Sequence, residues 1–169
     1  MLFRSDGWAQ VDALVLDVTE SRLRNAEFAG VLTAIRRALV VIEFDMAGHI
    51  IHVNDKFLAL TGYRADELLG EHHRRLCLPG EPATAAYAEH WEALRRGEFR
   101  SGEFERMGKD GRHIWIQATY NPILDAAGKP QRIVKFVNDL TERHFMELDL
   151  REINEQLRML RRKIGRAHV

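Results

Sequence analysis

The residues best equipped for chemistry are concentrated in one short stretch. Residues 70–77 read GEHHRRLC and place His72, His73 and the chain's one cysteine, Cys77, within eight positions. A neutral imidazole nitrogen can ligate a metal or a haem iron, and a thiolate is a nucleophile or a soft ligand. A haem reading would draw its axial ligand from His72, His73 or His90. A zinc site built from His72, His73, Cys77 and His90 lacks the tight paired spacing of structural zinc motifs, so no resident metal ion is expected. Neighbours on a helix point about 100° apart, so only one of His72 and His73 can face an interior pocket. Plain packing is the alternative to any cofactor: one histidine inward with a hydrogen-bonded ring, the other solvated, and Cys77 a small buried residue. The sequence holds no Gly-rich phosphate loop, HExxH, GxSxG or recognisable catalytic carboxylate pair, and it is read as a non-enzyme.

These residues need a scaffold, and the hydrophobic pattern supplies one. The runs LVVIEFD and HIIHVND, bridged by Met46, Ala47 and Gly48, predict a hairpin. NDKFLALTGY and RADELLG predict two short helices, with Gly70 placed to stop the second. EPATAAYAEHWEALRRGE predicts a longer amphipathic helix carrying Tyr87, Trp91 and Leu94 on one face. Three strands follow, over 97–107, 112–124 and 130–139, joined at KDG and AAGKP. In the second of these, Trp115, Gln117 and Thr119 share one face, and Ile114, Ile116 and Ala118 share the other. Two strands, several helices and three more strands predict an α+β domain with one antiparallel sheet and helices packed on one face.

Composition narrows the function. The chain has 169 residues, 46% of them hydrophobic, enough for one cored domain with helical extensions. Lys+Arg and Asp+Glu both total 25, so no net field favours nucleic acid or anionic lipid. Nothing approaches an apolar run of about 18 residues, so no direct membrane contact is expected, and the unpaired cysteine fits a reducing, cytoplasmic setting. Met146, Leu150, Ile153, Leu157 and Leu160 step by alternating fours and threes, a coiled-coil seam that predicts a homodimer through flanking helices.

Residues 39–143 resemble a PAS domain. The resemblance is carried by IEFDMAGHIIHVNDKFLALTGY, the following ELLG, KDG before the strand of Trp115, NPILDAAGKP and the closing DLTER, in that order. It is nearest to the PAS sensor modules of methyl-accepting chemotaxis proteins and the aerotaxis receptor. The resemblance implies a five-stranded antiparallel sheet in order 2-1-5-4-3, flanked by N- and C-terminal signalling helices. It implies a bacterial sensor of redox state or a small ligand, passing its signal through those helices to an output domain outside this fragment. Light-sensing LOV domains place a flavin-reactive cysteine where this chain has His73, which disfavours their photocycle. The FAD-binding aerotaxis module is the better comparison, since Asn54, His73 and Trp91 match its pattern; Arg106 replaces an asparagine there. The implied cofactor is FAD, with Asn54, His73, Trp91, Arg106, Trp115 and Gln117 as its binding positions. Haem b, or a cofactor-free dimerisation and interaction module, are the alternatives.

The ends are read separately. MLFRS at 1–5 and IGRAHV at 164–169 can each be translated from a common sequencing-adaptor sequence, and are expected to be scars on a fragment from an environmental collection. Residues 6–20 end in DVTE, echoing the DLTE of 139–142 roughly one domain length later, and are read as the last strand of an upstream PAS copy. A linker helix is expected over 21–38, with Phe28, Val31, Leu32, Ile35 and Leu39 at helical spacing. A coiled-coil helix is expected over 144–163.

Overall fold

The computed structural model describes residues 22–166 except 28, 32 and 36. The readings of 1–5, 6–20 and 167–169, and those of Phe28 and Leu32, lie outside the described residues. The chain divides into two units, Met1–Ala38 and Leu39–Val169. In the first, residues 22–27, 29–31, 33–35 and 37–38 are helical, with Val31 and Ile35 exposed. Leu39 is not part of that helix and belongs to the second unit.

The second unit contains β1 (Val40–Phe44), β2 (Ile50–Val53), α1 (Asp55–Thr61), α2 (Ala65–Leu68), 3-10 turns at His73–Leu76 and Glu81–Ala83, α3 (Ala85–Arg95), β3 (Arg100–Met107), β4 (His113–Leu124), β5 (Pro130–Asp139) and α4 (Thr141–Arg166). The sheet is antiparallel in the expected order β2-β1-β5-β4-β3. The β1–β2 turn is drawn tight by the Asp45 carboxylate, which accepts from the Ala47 and His49 amides at 2.9 and 2.8 Å. Gly48 stands there at φ +94°, and a Cβ would come within 2.8 Å of His72 Nε2. Only glycine fits this close approach.

Local chemistry sets the boundaries that sequence periodicity left loose. The long helix expected from Glu81 begins only at Ala85. Pro82 sits in a separate 3-10 turn, and the Thr84 hydroxyl caps α3 by accepting from the Tyr87 amide at 3.2 Å. The next strand starts at Arg100 rather than 97, because Gly97 at φ +83° and Glu98 turn back to donate to the Leu94 and Ala93 carbonyls. α2 ends at Leu68, and Gly70, just past the Leu69 cap at φ +84°, turns the chain away so that its amide donates to the Ile50 carbonyl.

The core lies between the inner sheet face and the helical side. Ile42, Phe44, Ile114, Ile116, Ala118, Tyr120, Ile133 and Val137 meet Phe57, Leu68, Leu76, Trp91 and Leu94, all buried. Each large side chain contributes about 1.5–3 kcal/mol by leaving water. Lys135 stands among them on β5, 1% exposed, opposite Tyr120 of β4 and Ile42 of β1. α4 projects beyond the sheet with Met146, Leu150, Ile153, Leu157 and Leu160 all exposed. Among the described residues, no helix is long and apolar enough to cross a membrane.

Candidate functional site

The two histidines of GEHHRRLC part company at the start of a 3-10 turn rather than on an α-helix. His72 is its N-cap: Nδ1 accepts from the Arg74 amide at 3.2 Å, so the proton sits on Nε2, which donates to the Ala47 carbonyl at 3.0 Å. His73, 1% exposed, turns inward, and its amide donates to the Gly48 carbonyl at 2.8 Å. Its Nδ1 lies 3.1 Å from the Tyr87 hydroxyl and its Nε2 3.1 Å from the Tyr120 hydroxyl. Burial, reinforced by the positive charges of Lys135 and Arg106, holds His73 well below the usual histidine range. The ring is therefore neutral: one nitrogen donates to a tyrosine and the other accepts from one. Cys77 is buried 3.5 Å from His73 Nδ1, and burial pushes its thiol up to about 11, which leaves it unreactive. The inward, hydrogen-bonded histidine and small buried cysteine are the packing arrangement that the sequence left open beside the cofactor readings.

Around this ring the interior is unusually polar. Arg106, its side chain 6% exposed, uses Nη1 alone to reach both oxygens of Glu81 at 3.0 Å and the Glu105 carbonyl at 2.7 Å. Its buried Nε has no partner. The Lys135 nitrogen sits 4.8 Å above the Tyr120 ring, and burial, then the charge on Arg106, holds it well below the usual lysine range. His90 packs edge-on against Tyr120 at 4.5 Å; burial pushes it down to about 4, and its buried Nε2 is unpartnered. The Trp91 indole nitrogen is likewise buried without a partner. A cleft of about 140 Å³ opens among His73, Glu81, Thr84, Tyr87, His90 and Arg106, with Phe104 and Ala86 completing its wall.

Of the positions expected to hold a cofactor, the fold brings His73, Trp91 and Arg106 to this interior and leaves three outside it. Asn54 is committed to backbone: its Oδ1 accepts from the Val41 and Phe57 amides at 3.1 and 3.0 Å, and its Nδ2 donates to the Leu39 carbonyl at 2.7 Å. Trp115 and Gln117 lie on the outer sheet face, where Trp115 stacks on His144. Among the haem-ligand alternatives, both nitrogens of His72 and of His73 are engaged, and His90 Nε2 is the one without a partner.

The interior in this arrangement is more closely filled than most cofactor pockets. The cleft of about 140 Å³ is well below the roughly 300–1,000 Å³ of cofactor pockets, and Tyr120 and Lys135 fill the centre of the inner face. Sequence reasoning missed Lys135, Glu81, Tyr87 and Tyr120. The one available signal was a lysine at alternating spacing between Ile133 and Val137 in an otherwise apolar run.

Comparison with known proteins gives a consistent result. Residues 50–137 match the family model described as the PAS fold. The chain is 41% identical over 117 residues to the biofilm dispersion protein BdlA of Pseudomonas aeruginosa, covering 69% of this chain and 28% of that protein. It is 36% identical over 80 residues to the aerotaxis receptor of Escherichia coli, covering 47% of this chain and 16% of the receptor. The chain thus spans less than a third of either relative. An RNA-binding light-oxygen-voltage receptor superposes with a TM-score of 0.62 at 22% identity, covering 80% of this chain and 39% of that one. A light-oxygen-voltage domain studied with a flavin analogue superposes with a TM-score of 0.59 at 25% identity, covering 75% and 96%.

Proposed function

The chain belongs to the PAS-fold family, and on that premise we propose that residues 39–143 form the sensory module of a chemotaxis-type signalling protein, with a small ligand read in the cleft beside α3. The names of the relatives, a biofilm dispersion protein and an aerotaxis receptor, support the sensory assignment. One observation carries the ligand: the wall of the cleft holds nitrogens of His90 and Arg106 without partners, where apolar side chains would pack at lower cost. A ligand that satisfies them shifts the population of a sheet conformation, and β4 hands that shift to α4 through Trp115 and His144. α4 then passes it to an output domain, working as a homodimer with a second copy of the chain across its exposed seam of Met146, Leu150, Ile153, Leu157 and Leu160. The role is sensing rather than catalysis.

FAD-based redox sensing is the second reading. It is favoured by the flavin named for a light-oxygen-voltage neighbour and by the same unpartnered nitrogens. The absorption spectrum of the purified full chain, before and after dithionite and after incubation with FAD and with haemin, separates the two. A colourless protein is expected. Blue-region bands that bleach on reduction would replace the first reading with the flavin, and a Soret band would replace it with haem on His90.

A further inference from the structure

The arginine at the cleft is already holding a carboxylate, and it does so with only part of its binding capacity. Carboxylates bind guanidinium most strongly through two parallel N–H bonds. Glu81 instead places both oxygens on one nitrogen, Nη1, which also serves the Glu105 carbonyl, while the buried Nε is left over. Glu81 comes from the rim, its side chain 29% exposed, on a single 3-10 turn that begins after Gly80 and is followed by the cap of α3. Behind Arg106 stands Lys135, so among the described residues two basic side chains in this interior face the one carboxylate of Glu81. The buried guanidinium keeps an unpaired N–H beside an amine that burial holds toward its neutral form, so this interior is short of acceptors.

We propose that the cleft is a binding site for a small carboxylic acid with an apolar body, whose carboxylate displaces Glu81 from Arg106. This rests on the reading of the cleft as a ligand site. The recognising groups are Arg106, through its unpartnered Nε and the Nη1 that Glu81 vacates, with His90 Nε2 at the same wall. The body of the acid lies against Ala86, Tyr87 and Phe104. A cleft of about 140 Å³, below the roughly 300–1,000 Å³ of cofactor pockets, suits a short-chain or single-ring acid better than a nucleotide. Withdrawal of Glu81 moves the turn that leads into α3, so occupancy of the cleft is coupled to the helix covering it.

Calorimetric titration of the full chain with benzoate, and with its neutral isostere benzamide, tests the proposal. Saturable benzoate binding is expected, at least about tenfold tighter than benzamide, because only the acid gains the charge-assisted pair. Glu81→Gln removes the internal competitor, and benzoate should bind that variant about tenfold more tightly than the native chain. Arg106→Gln, with its fold checked by circular dichroism, should abolish the preference for the acid. Benzamide binding as tightly as benzoate overturns the carboxylate assignment while leaving the cleft a ligand site, as does Glu81→Gln leaving benzoate affinity unchanged. No heat from either probe, in the native chain and in Glu81→Gln, overturns both the assignment and the ligand site.

Discussion

Trp115 and His144 stack with ring centroids 3.8 Å apart and planes 19° from parallel. This contact fastens the outer face of β4 to the first turn of α4. It is reinforced by the Leu140 amide donating to the Trp115 carbonyl at 2.8 Å and the Trp115 amide donating to Thr141 Oγ1 at 3.1 Å. A double-mutant cycle of Trp115→Ala and His144→Ala is expected to give a coupling energy of about 0.5–1.5 kcal/mol in urea unfolding. Additive effects of the two substitutions would remove the stack as a joint between sheet and helix.

The buried imidazoles make stability depend on pH. His73 is held well below 6.5 and His90 is pushed from 6.5 down to about 4, in both cases chiefly by burial. Between those values the unfolded chain binds protons that the folded imidazoles refuse, so their contribution to stability is complete above 6.5 and is lost as the pH drops toward 4. Urea midpoints measured across that window should decline with acidification, and His90→Gln should make the decline shallower. An unchanged slope in that variant assigns the acid sensitivity elsewhere.

Lys135 separates packing from function. An apolar side chain of similar shape avoids the burial of an amine, so Lys135→Met should be neutral or stabilising by about 1 kcal/mol or more. Lys135→Ala leaves a cavity and should cost about 2–5 kcal/mol, the range of other large-to-small core changes. Chemical denaturation compares the two. Strong destabilisation by methionine would mean that the amine itself supports the fold.

The proposed dimer depends on α4. Truncation after Glu147 keeps the Trp115–His144 stack and removes Leu150, Ile153, Leu157 and Leu160, whose side chains are 49–60% exposed. Sedimentation equilibrium should report a shift from dimer to monomer, with the fold of the sheet retained. A truncated chain that remains dimeric would place the contact on another surface.

Much of the architecture was legible because its determinants are local. Alternating runs set the strands, AAGKP and KDG set the turns, and the order of strands and helices admitted one antiparallel sheet. Helix ends were misjudged where a side chain or a glycine supplied the boundary: the Thr84 cap delays α3, and Gly97 delays β3. Both are hydrogen-bonding events within a few residues, which hydrophobic periodicity does not register.

The sequence by itself determined that no more than one of His72 and His73 faces inward, since adjacent residues on a turning backbone cannot share a direction. Only the tertiary structure decided that it is His73, because the His73 amide is held by the Gly48 carbonyl and its ring is caught between tyrosines from α3 and β4. The same division holds for the basic interior. Alternation put Lys135 on the face of Ile133 and Val137, but which face is covered depends on register with β1 and β4, and a one-residue slip would have turned the amine to water. The pairing of Arg106 with Glu81 joins a strand to a turn on the far side of a helix. A contact of that kind is set by where the chain returns in space, and spacing along the sequence carries no trace of it.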